Sequence, residues 1–250
     1  MQSAALSIII PCYNSSGFMR QTFAEIESFV RESGDTCVLF VDDASNDTTV
    51  AMLRSLIGES GCAQRMSLLQ NPVNSGKGAA IARGLAVVTT EFVCYTDADL
   101  AYDPANITWF RSLARPGRII TANRVHAESV YLIRPRFFRH IASRHLASRI
   151  LNRIISLLLV PGIEDAQAGL KMGATADLKA CLPYLTCWRF SFDTELLTAA
   201  HARGIEILPQ PVRFKYDPGS STVRFARDSR DMLLALARIW VRKVAGKYCG

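Results

Sequence analysis

The sequence predicts an α/β protein with a mostly parallel sheet covered by helices on both faces. Short apolar, β-rich runs alternate with helical segments from residue 6 to residue 100, and this alternation is typical of a parallel, helix-covered sheet. Two of these runs end in acidic residues, at the strand ends where α/β proteins bind their ligands. No repeat, low-complexity tract or linker divides the sequence, so we expect a single domain over residues 1–250.

The first half of the chain begins with a strand. Leu6–Ile10 is a short continuous apolar run that ends at Pro11, as expected of a buried parallel strand. The further strands that we predict here cover 38–41, 66–70 and the run that starts at Phe92. The first helix between them runs from about Phe18 to Ser33. Residues 46–49 cap a second helix, which runs to about Ile57, and an Ala-rich helix follows Gly78 and runs to Val88.

The second half is less regular. Helical patterns cover Ala105–Leu113, Phe137–Val160, Phe192–Ala202 and Asp228–Val244, and strand-like runs cover Arg118–Ala122 and Ile205–Leu208. The stretch from Ala127 to Arg136 is predicted to be a mobile loop. The last helix carries an apolar stripe with basic residues around it, which is consistent either with packing on the sheet or with contact with a membrane surface.

An acid pair lies at the centre of the functional prediction. Asp97 and Asp99 follow the apolar run Phe92–Tyr95 at alternate positions, and a continuing strand would put both carboxylates on the same side. Two adjacent like charges repel, so the pair requires a metal, an arginine or a lysine as its counter-charge. A solvated Asp-rich turn is the alternative, and we favour a metal because the pair follows a buried strand.

Two further polar clusters lie at predicted strand ends. Asp42 and Asp43 follow the second strand, where a carboxylate accepts hydrogen bonds from a nucleobase or a ribose, or else caps the next helix. Gly76-Lys77-Gly78 lacks the spacing of a phosphate-binding P-loop. The two glycines are explained by a tight turn, whereas Lys77 remains a candidate for contact with a phosphate or a base.

A third cluster combines acids with apolar neighbours in the second half. Glu164 and Asp165 precede Lys171, and Asp193 and Glu195 open a predicted helix. Such carboxylates serve as bases or orienting groups, or they cap helices and hold cations. For Asp193 and Glu195 we favour the structural role.

Composition and charge limit the class of protein. With 49% hydrophobic and 20% charged residues the chain is globular, and a net charge of +7 favours an anionic partner: a phosphorylated substrate, a nucleic acid or an anionic membrane. Seven cysteines without a C-x-x-C pair indicate reduced thiols in a cytosolic protein. Neither a signal peptide nor an apolar run of about 18 residues is found, so we expect no bilayer crossing by the chain itself.

Six short motifs occur in order along most of the chain. They are Ile10–Asn14, Val41–Ser45, Asn74–Gly78, Thr96–Leu100, Asp165–Lys171 and Phe192–Leu197. Each is weak alone, but in this order they resemble family 2 inverting glycosyltransferases, and above all the dolichyl- and polyprenyl-phosphate hexose synthases. The resemblance implies a GT-A fold, whose sheet is Rossmann-like. It also implies a UDP- or GDP-linked sugar as the donor and Mg²⁺ or Mn²⁺ as the cofactor. It also implies a donor-binding half, about 1–100, and an acceptor-binding half, about 101–250.

The resemblance assigns roles to individual residues. A nucleotide-sugar pocket would comprise Pro11, Tyr13, Asn14, Asp42, Asp43, Lys77, Asp97, Ala98 and Asp99, and the metal ligands would be Asp97 and Asp99. The acceptor phosphate would be held by Arg124, Arg144 and Ser148. The polyprenyl phosphate would bring the protein, peripherally, to the cytoplasmic face of a membrane.

The sequence also departs from the family pattern. Ala101 replaces a frequent glutamine, so Asp103 or water would complete the metal shell. Ser221-Thr222-Val223 replaces a serine-lysine motif, so Arg213 or Lys215 would contact the donor phosphate instead. Asp165 is the expected general base if the acceptor is a hydroxyl, since an ionised phosphate needs none.

Three other classes compete with this reading. A nucleotidyltransferase would also use metal-binding carboxylates, but its Gly- and Arg-rich signature near the first strand is missing. A nucleic-acid binder would explain the basic charge but not the paired acids at strand ends. A nucleotide-binding protein without catalytic activity remains an alternative.

Overall fold

The computed structural model describes residues 5–133, 152–189, 191–216 and 225–249. The strands are β1 Leu6–Cys12, β2 Thr36–Asp42, β3 Met66–Gln70, β4 Phe92–Tyr95, β5 Arg118–Ala122, β6 Val130–Ile133, β7 Lys171–Ala174, β8 Glu206–Gln210 and β9 Arg213–Tyr216. The helices are α1 Ser16–Ser33, α2 Thr49–Glu59, α3 Lys77–Val87, α4 Ala105–Leu113, α5 Thr175–Cys181, α6 Phe192–Ala202 and α7 Phe225–Val244. Residues 152–158 are also helical.

One seven-stranded sheet has the order β3-β2-β1-β4-β7-β5-β8. Its strands are parallel except β7, which pairs antiparallel with both β4 and β5. The mostly parallel sheet is therefore confirmed. Because β7 runs against its neighbours, the residues that precede it lie at the same edge of the sheet as the carboxyl ends of β4 and β5.

Helices cover both faces of this sheet, as predicted. Side chains of β1 alternate: Ile8 and Ile10 pack with α1, α2 and α4, whereas Ile9 packs with α3 and α6 on the other face. All three isoleucines are 0% exposed. A strand buried on both faces is apolar at consecutive positions, which explains the unbroken apolar run Leu6–Ile10.

The loop predicted for Ala127–Arg136 is wrong in its central part. Val130–Ile133 forms β6, which pairs in parallel with β9 in a separate two-stranded sheet. The partner strand lies about eighty residues further along the chain, so no local pattern marks the pairing. Tyr102 bridges to Phe214 of β9 and joins this small sheet to the segment that follows β4.

The predicted helix Phe137–Val160 is described only from residue 152 onward. The predicted acceptor-binding residues Arg144 and Ser148 lie outside the described residues, as does Ser221-Thr222-Val223. Within the described part of the chain, no helix combines the length and the hydropathy needed to span a membrane.

The terminal helix α7 carries apolar side chains on two sides. Leu236 and Ile239 are buried in the core, 6% and 0% exposed, and the neighbouring Met232 packs against the same core. A second set points outward, with exposed fractions of 57%, 57%, 44%, 58% and 71% for Leu233, Leu234, Trp240, Val241 and Val244. The single stripe that the sequence predicted is therefore divided between the core and the surface.

Candidate active site

The loops that follow β1 and β2 are tied to each other at the carboxyl edge of the sheet. The side-chain oxygen of Asn14 accepts a hydrogen bond from the Asn46 amide at 2.9 Å, and the Asn14 amide donates to Ser45 Oγ at 2.9 Å. Tyr13 is 42% exposed beside this link, and Pro11 is half-buried within β1. Asn14 thus connects two loops of the predicted donor pocket.

The two acids at the end of β2 have different environments. Asp43 is 3% exposed and accepts hydrogen bonds from the Asn71 side chain at 2.8 Å and from the Gly76 amide at 2.6 Å. It therefore organises the loop that leads into α3. Asp42 accepts one bond from the Ser45 amide at 3.0 Å, while its buried Oδ1 has no partner among the described residues. That oxygen therefore has a hydrogen-bonding capacity that no described residue uses.

The two glycines around Lys77 permit close packing. Gly76 has a φ of +102°, and a Cβ there would lie 2.6 Å from the carbonyl oxygen of Trp188. A Cβ on Gly78 would lie 2.5 Å from the side chain of Phe192. Both positions therefore exclude a larger residue, and the loop delivers Lys77 to the first position of α3.

Asp97 and Asp99 lie in a turn, not in a continued strand. β4 ends at Tyr95, and the Asp97 carbonyl then accepts a hydrogen bond from the Leu100 amide at 3.1 Å. Leu100 has a φ of +45°, which a strand excludes. The expectation of period-two alternation is thus wrong, but the turn still leaves both acids half-buried at the carboxyl edge.

Asp97 contacts a cation on one side and a glycine on the other. Lys77 Nζ lies 2.7 Å from Asp97 Oδ1. A Cβ on Gly169 would lie only 1.8 Å from Asp97 Oδ2, so the carboxylate rests against the backbone just before β7. The sequence required a counter-charge for this acid, and in the described residues that charge is a lysine.

The carboxylates of this turn are the type of donor that a divalent ion takes together with a substrate. Among the described residues, no group of three or more His, Cys, Asp or Glu side chains is arranged to hold a metal. Mg²⁺ typically takes one or two carboxylates and completes its shell with water and substrate phosphates. Asp97 and Asp99 match that donor set. Asp103 instead accepts a bond from the Ala105 amide at 2.9 Å at the start of α4.

Beneath the turn lies a buried charge network centred on Asp193. This carboxylate accepts bonds from Lys171 Nζ at 2.9 Å and from the Tyr95 hydroxyl at 2.8 Å, and Lys77 lies 3.4 Å away. Burial opposes ionisation of Asp193, yet the ammonium groups of Lys171 and Lys77 hold the pKa of this carboxyl below its ordinary value. Burial lowers the pKa of Lys171. The geometry fits the structural role favoured for Asp193.

Glu195 has a structural environment as well. It is 0% exposed and accepts hydrogen bonds from the Thr186 and Cys187 amides at 2.7 Å. The hydroxyl of Tyr248 donates to it at 2.7 Å. Glu195 therefore fastens the segment after α7 to the start of α6.

Arg124 and Asp165 form a bidentate ion pair at the end of β5. The guanidinium donates from Nε at 2.7 Å and from Nη2 at 2.8 Å, and the Arg124 amide adds a third bond at 2.9 Å. The Asp165 side chain is 1% exposed, whereas that of Arg124 is 29% exposed. Burial alone would raise the pKa of Asp165, but Arg124 holds it below its ordinary value.

The other residues that were predicted to contact the donor are Ala98, Arg213 and Lys215. The Ala98 carbonyl accepts a hydrogen bond from Thr22 at 2.6 Å. Arg213 is exposed, and its carbonyl accepts a bond from the Asp103 amide at 3.2 Å. Lys215 Nζ lies 2.9 Å from Glu25, so it is already paired.

Several residues that shape this site were not predicted from the sequence. Tyr95 and Gly169 contact Asp193 and Asp97 respectively, and Tyr102 accepts a hydrogen bond from the Gly169 amide at 3.0 Å. The sequence signal that could have identified Gly169 was its position within the motif Asp165–Lys171. The aromatic residues lay in apolar runs that read simply as core.

Comparison with known proteins identifies the family of the chain. The model of the family described as glycosyl transferase family 2 matches residues 7–161. A dolichyl-phosphate beta-glucosyltransferase of Dictyostelium discoideum is 26% identical over 240 residues, which cover 89% of this chain and 72% of the relative. The enzyme of the same name from Drosophila melanogaster is 27% identical over 268 residues, covering 98% of this chain and 77% of the relative.

Solved structures confirm the architecture. The crystal structure of Mycobacterium tuberculosis glucosyl-3-phosphoglycerate synthase superposes with a TM-score of 0.69 at 17% identity, over 95% of this chain and 81% of that chain. A second crystal structure of that enzyme, with Mn²⁺, UDP and glucosyl-3-phosphoglycerate bound, gives a TM-score of 0.60 at 16% identity, over 95% and 80% of the two chains. These neighbours confirm the GT-A fold, and the chain belongs to glycosyl transferase family 2 and is a glycosyltransferase.

Proposed function

We propose that this glycosyltransferase moves a hexose from a nucleotide sugar to a polyprenyl or dolichyl phosphate, with a divalent metal and with inversion at the sugar. One observation carries the proposal. A single loop before β7 contacts the acid turn through Gly169 and holds Arg124 through Asp165. A donor diphosphate at Asp97 and an acceptor phosphate at Arg124 would therefore lie in one cleft. The relatives' names favour glucose as the hexose.

The donor would be held at the ends of β1, β2 and β4. Asp42 offers its unpartnered buried oxygen to the base or ribose, and exposed Tyr13 lies beside it in the adjoining loop. Asp97 and Asp99 would hold Mg²⁺ or Mn²⁺, which when bound supplies positive charge that stabilises the leaving diphosphate. Asp42, Asp97 and Asp99 would bind the nucleoside diphosphate and hold it in the orientation in which it leaves the sugar.

The acceptor phosphate would bind at the exposed side of Arg124. Arginine suits this task because its planar guanidinium pairs with phosphate oxygens in two bonds. Asp165 fixes one edge of that guanidinium and leaves the other for the ligand. Arg144 and Ser148 remain proposed as further residues that bind the same acceptor phosphate. A phosphate monoester is largely dianionic at neutral pH, so it attacks the sugar without a base.

A hydroxyl acceptor with Asp165 as general base is the alternative. The geometry disfavours it, because Asp165 is 1% exposed and its two oxygens accept three bonds from Arg124. A lowered pKa also makes the carboxylate a weak base. Asp165 therefore acts through Arg124 as a positioning residue.

The proposal is tested by comparing the kinetics of transfer to polyprenyl phosphate and to polyprenol. Arg124→Gln is expected to raise the KM for polyprenyl phosphate by roughly ten- to a hundredfold, since one charge-assisted bidentate contact is lost. The KM for the sugar nucleotide should change little. Initial rates are measured with polyprenyl phosphate and with the matching polyprenol, using UDP- and GDP-hexoses in turn.

Two further variants sharpen this test. Arg118→Gln serves as the matched control, because Arg118 begins the same strand at its opposite end and pairs with Glu206. Asp165→Asn should reduce transfer to the phosphate in parallel with Arg124→Gln. Efficient transfer to polyprenol that Asp165→Asn abolishes would instead establish the hydroxyl acceptor.

The outward side of α7 would carry the enzyme to its lipid substrate. We call its exposed residues Leu233, Leu234, Trp240, Val241 and Val244, together with Ile154, Leu157 and Leu158, the outer apolar surface. The two parts are adjacent, since Lys243 of α7 donates to the Leu158 and Leu159 carbonyls at 3.0 and 2.8 Å. Exposed Arg238 and Lys247 flank it. This combination suits a membrane rich in anionic lipid.

Vesicle binding checks this membrane contact. The combined change Leu233→Ser, Trp240→Ser and Val244→Ser should weaken binding to anionic vesicles at least about tenfold, because several apolar side chains no longer enter the interface. Sedimentation with phosphatidylglycerol vesicles provides the measurement. Trp109→Ser is the control, since Trp109 is 48% exposed and lies on α4, across the sheet. Equal binding of the triple variant and the parent would contradict the proposed contact.

A further inference from the structure

Lys77 lies between two carboxylates that have different freedom. Its Nζ is 2.7 Å from Asp97 and 3.4 Å from Asp193. Asp193 is buried, 4% exposed at its side chain, and already paired with Lys171. Asp97 is 34% exposed at its side chain. The lysine therefore faces one fixed internal anion and one anion that is open to a ligand.

The charges in this group are balanced without any metal. Lys77 and Lys171 supply two positive charges, and Asp97 and Asp193 supply two negative charges. The ammonium of Lys77 thus lies 2.7 Å from an oxygen of a proposed metal ligand.

The backbone of Lys77 is held by its neighbours, while its side chain is partly exposed. Gly76 packs against the Trp188 carbonyl, and the Ala79 amide donates to the same carbonyl at 3.2 Å. Asp43 holds the loop from the other side. The side chain of Lys77 is 23% exposed, and its flexible stem allows the ammonium to move between neighbouring anions.

From this arrangement we infer that Lys77 is a built-in competitor for the metal at Asp97, and that it leaves Asp97 when a nucleoside diphosphate offers its ammonium a new anionic partner. This inference rests on the proposed function, since it takes Asp97 as a metal ligand. Lys77 is a positioning residue for donor binding: it makes the metal alone bind weakly and makes metal and diphosphate bind together.

The thermodynamic consequence is positive coupling between the two ligands. A metal that arrives alone must separate Lys77 from Asp97 and also faces the repulsion of the ammonium. With a diphosphate present, the displaced ammonium pairs with phosphate oxygens. Because such coupling is reciprocal, the diphosphate also binds more tightly when the metal is present.

Titration with Mn²⁺ tests the inference. The electron paramagnetic resonance signal of free Mn²⁺ is followed as protein is added, with and without UDP. Lys77→Met should tighten binding of Mn²⁺ alone by about tenfold, because the competing cation is removed. The factor by which UDP tightens Mn²⁺ binding should fall by a similar ratio. Lys77→Gln is measured in parallel, so that the result does not depend on one replacement side chain.

Lys179→Met is the matched control. It removes the same charge, but Lys179 Nζ donates to the Val88 carbonyl at 2.7 Å, just beyond the opposite end of α3. Its Mn²⁺ affinity should equal that of the parent. Unchanged or weaker binding of Mn²⁺ alone by both Lys77 variants overturns the inference and leaves the proposed function intact. Absence of Mn²⁺ binding in every protein, with UDP present, overturns the metal dependence on which both rest.

Discussion

Asp97→Asn is expected to lower the rate of sugar transfer by about 10²–10³-fold while the protein stays folded. The substitution keeps the shape of the side chain and removes the charge that would hold the metal. Lys77 retains Asp193 as a partner, so no buried cation loses its last anion. The thermal unfolding temperature should therefore change little.

The measurement combines activity with metal binding. Transfer is assayed with excess Mn²⁺, and Mn²⁺ affinity is measured in the presence of UDP. Asp35→Asn is the matched control, because Asp35 precedes β2 at the opposite edge of the sheet and pairs with Arg111. Addition of a chelator to the parent enzyme should reproduce the loss, and added Mg²⁺ or Mn²⁺ should reverse it. Full activity of Asp97→Asn would rule out the metal role.

Asp193→Ala is expected to lower the free energy of unfolding by roughly 3–5 kcal/mol, the typical cost of breaking a buried ion pair. The change removes the carboxylate paired with Lys171, whose side chain is 0% exposed, while the Ala168 carbonyl and the ring of Tyr95 stay in contact with its ammonium. Deprotonation of Lys171 limits the penalty but does not remove it. The Tyr95 hydroxyl also loses its acceptor.

Urea unfolding at neutral pH gives the required free energies. The double variant Asp193→Ala with Lys171→Met should recover a large part of the lost stability, because no unpaired charge is then buried. If the double variant is as unstable as the single one, the loss comes from packing and not from charge. A loss below about 1 kcal/mol in the single variant would contradict the buried ion pair.

Elements built from local pattern could be predicted from the sequence. The continuous apolar run of β1 and the alternation of strands and helices up to β4 identified the parallel sheet and the edge where ligands bind. β7 was not predicted, because Lys171–Ala174 is only four residues long and its partners β4 and β5 lie far away in the chain. β6 escaped prediction for the same reason.

The same contrast holds for the candidate site. The position of Asp97 at a strand end was evident, and its charge required a cation nearby. Which cation it would be was not evident, since Lys77 lies twenty residues earlier and reaches Asp97 only through the Gly76 turn. The division of the α7 stripe was equally hidden, because a helical period shows which residues share a side but not what covers that side.

By itself the sequence determined the parallel α/β core, the acidic strand ends and the ordered motifs of a glycosyltransferase family, since these depend on neighbours in the chain. Only the tertiary structure decided the charge partners: Lys77 with Asp97, Lys171 with Asp193, and Arg124 with Asp165. The physical reason is that an ion pair forms where folding brings two groups within a few ångströms, and no sequence period encodes that distance.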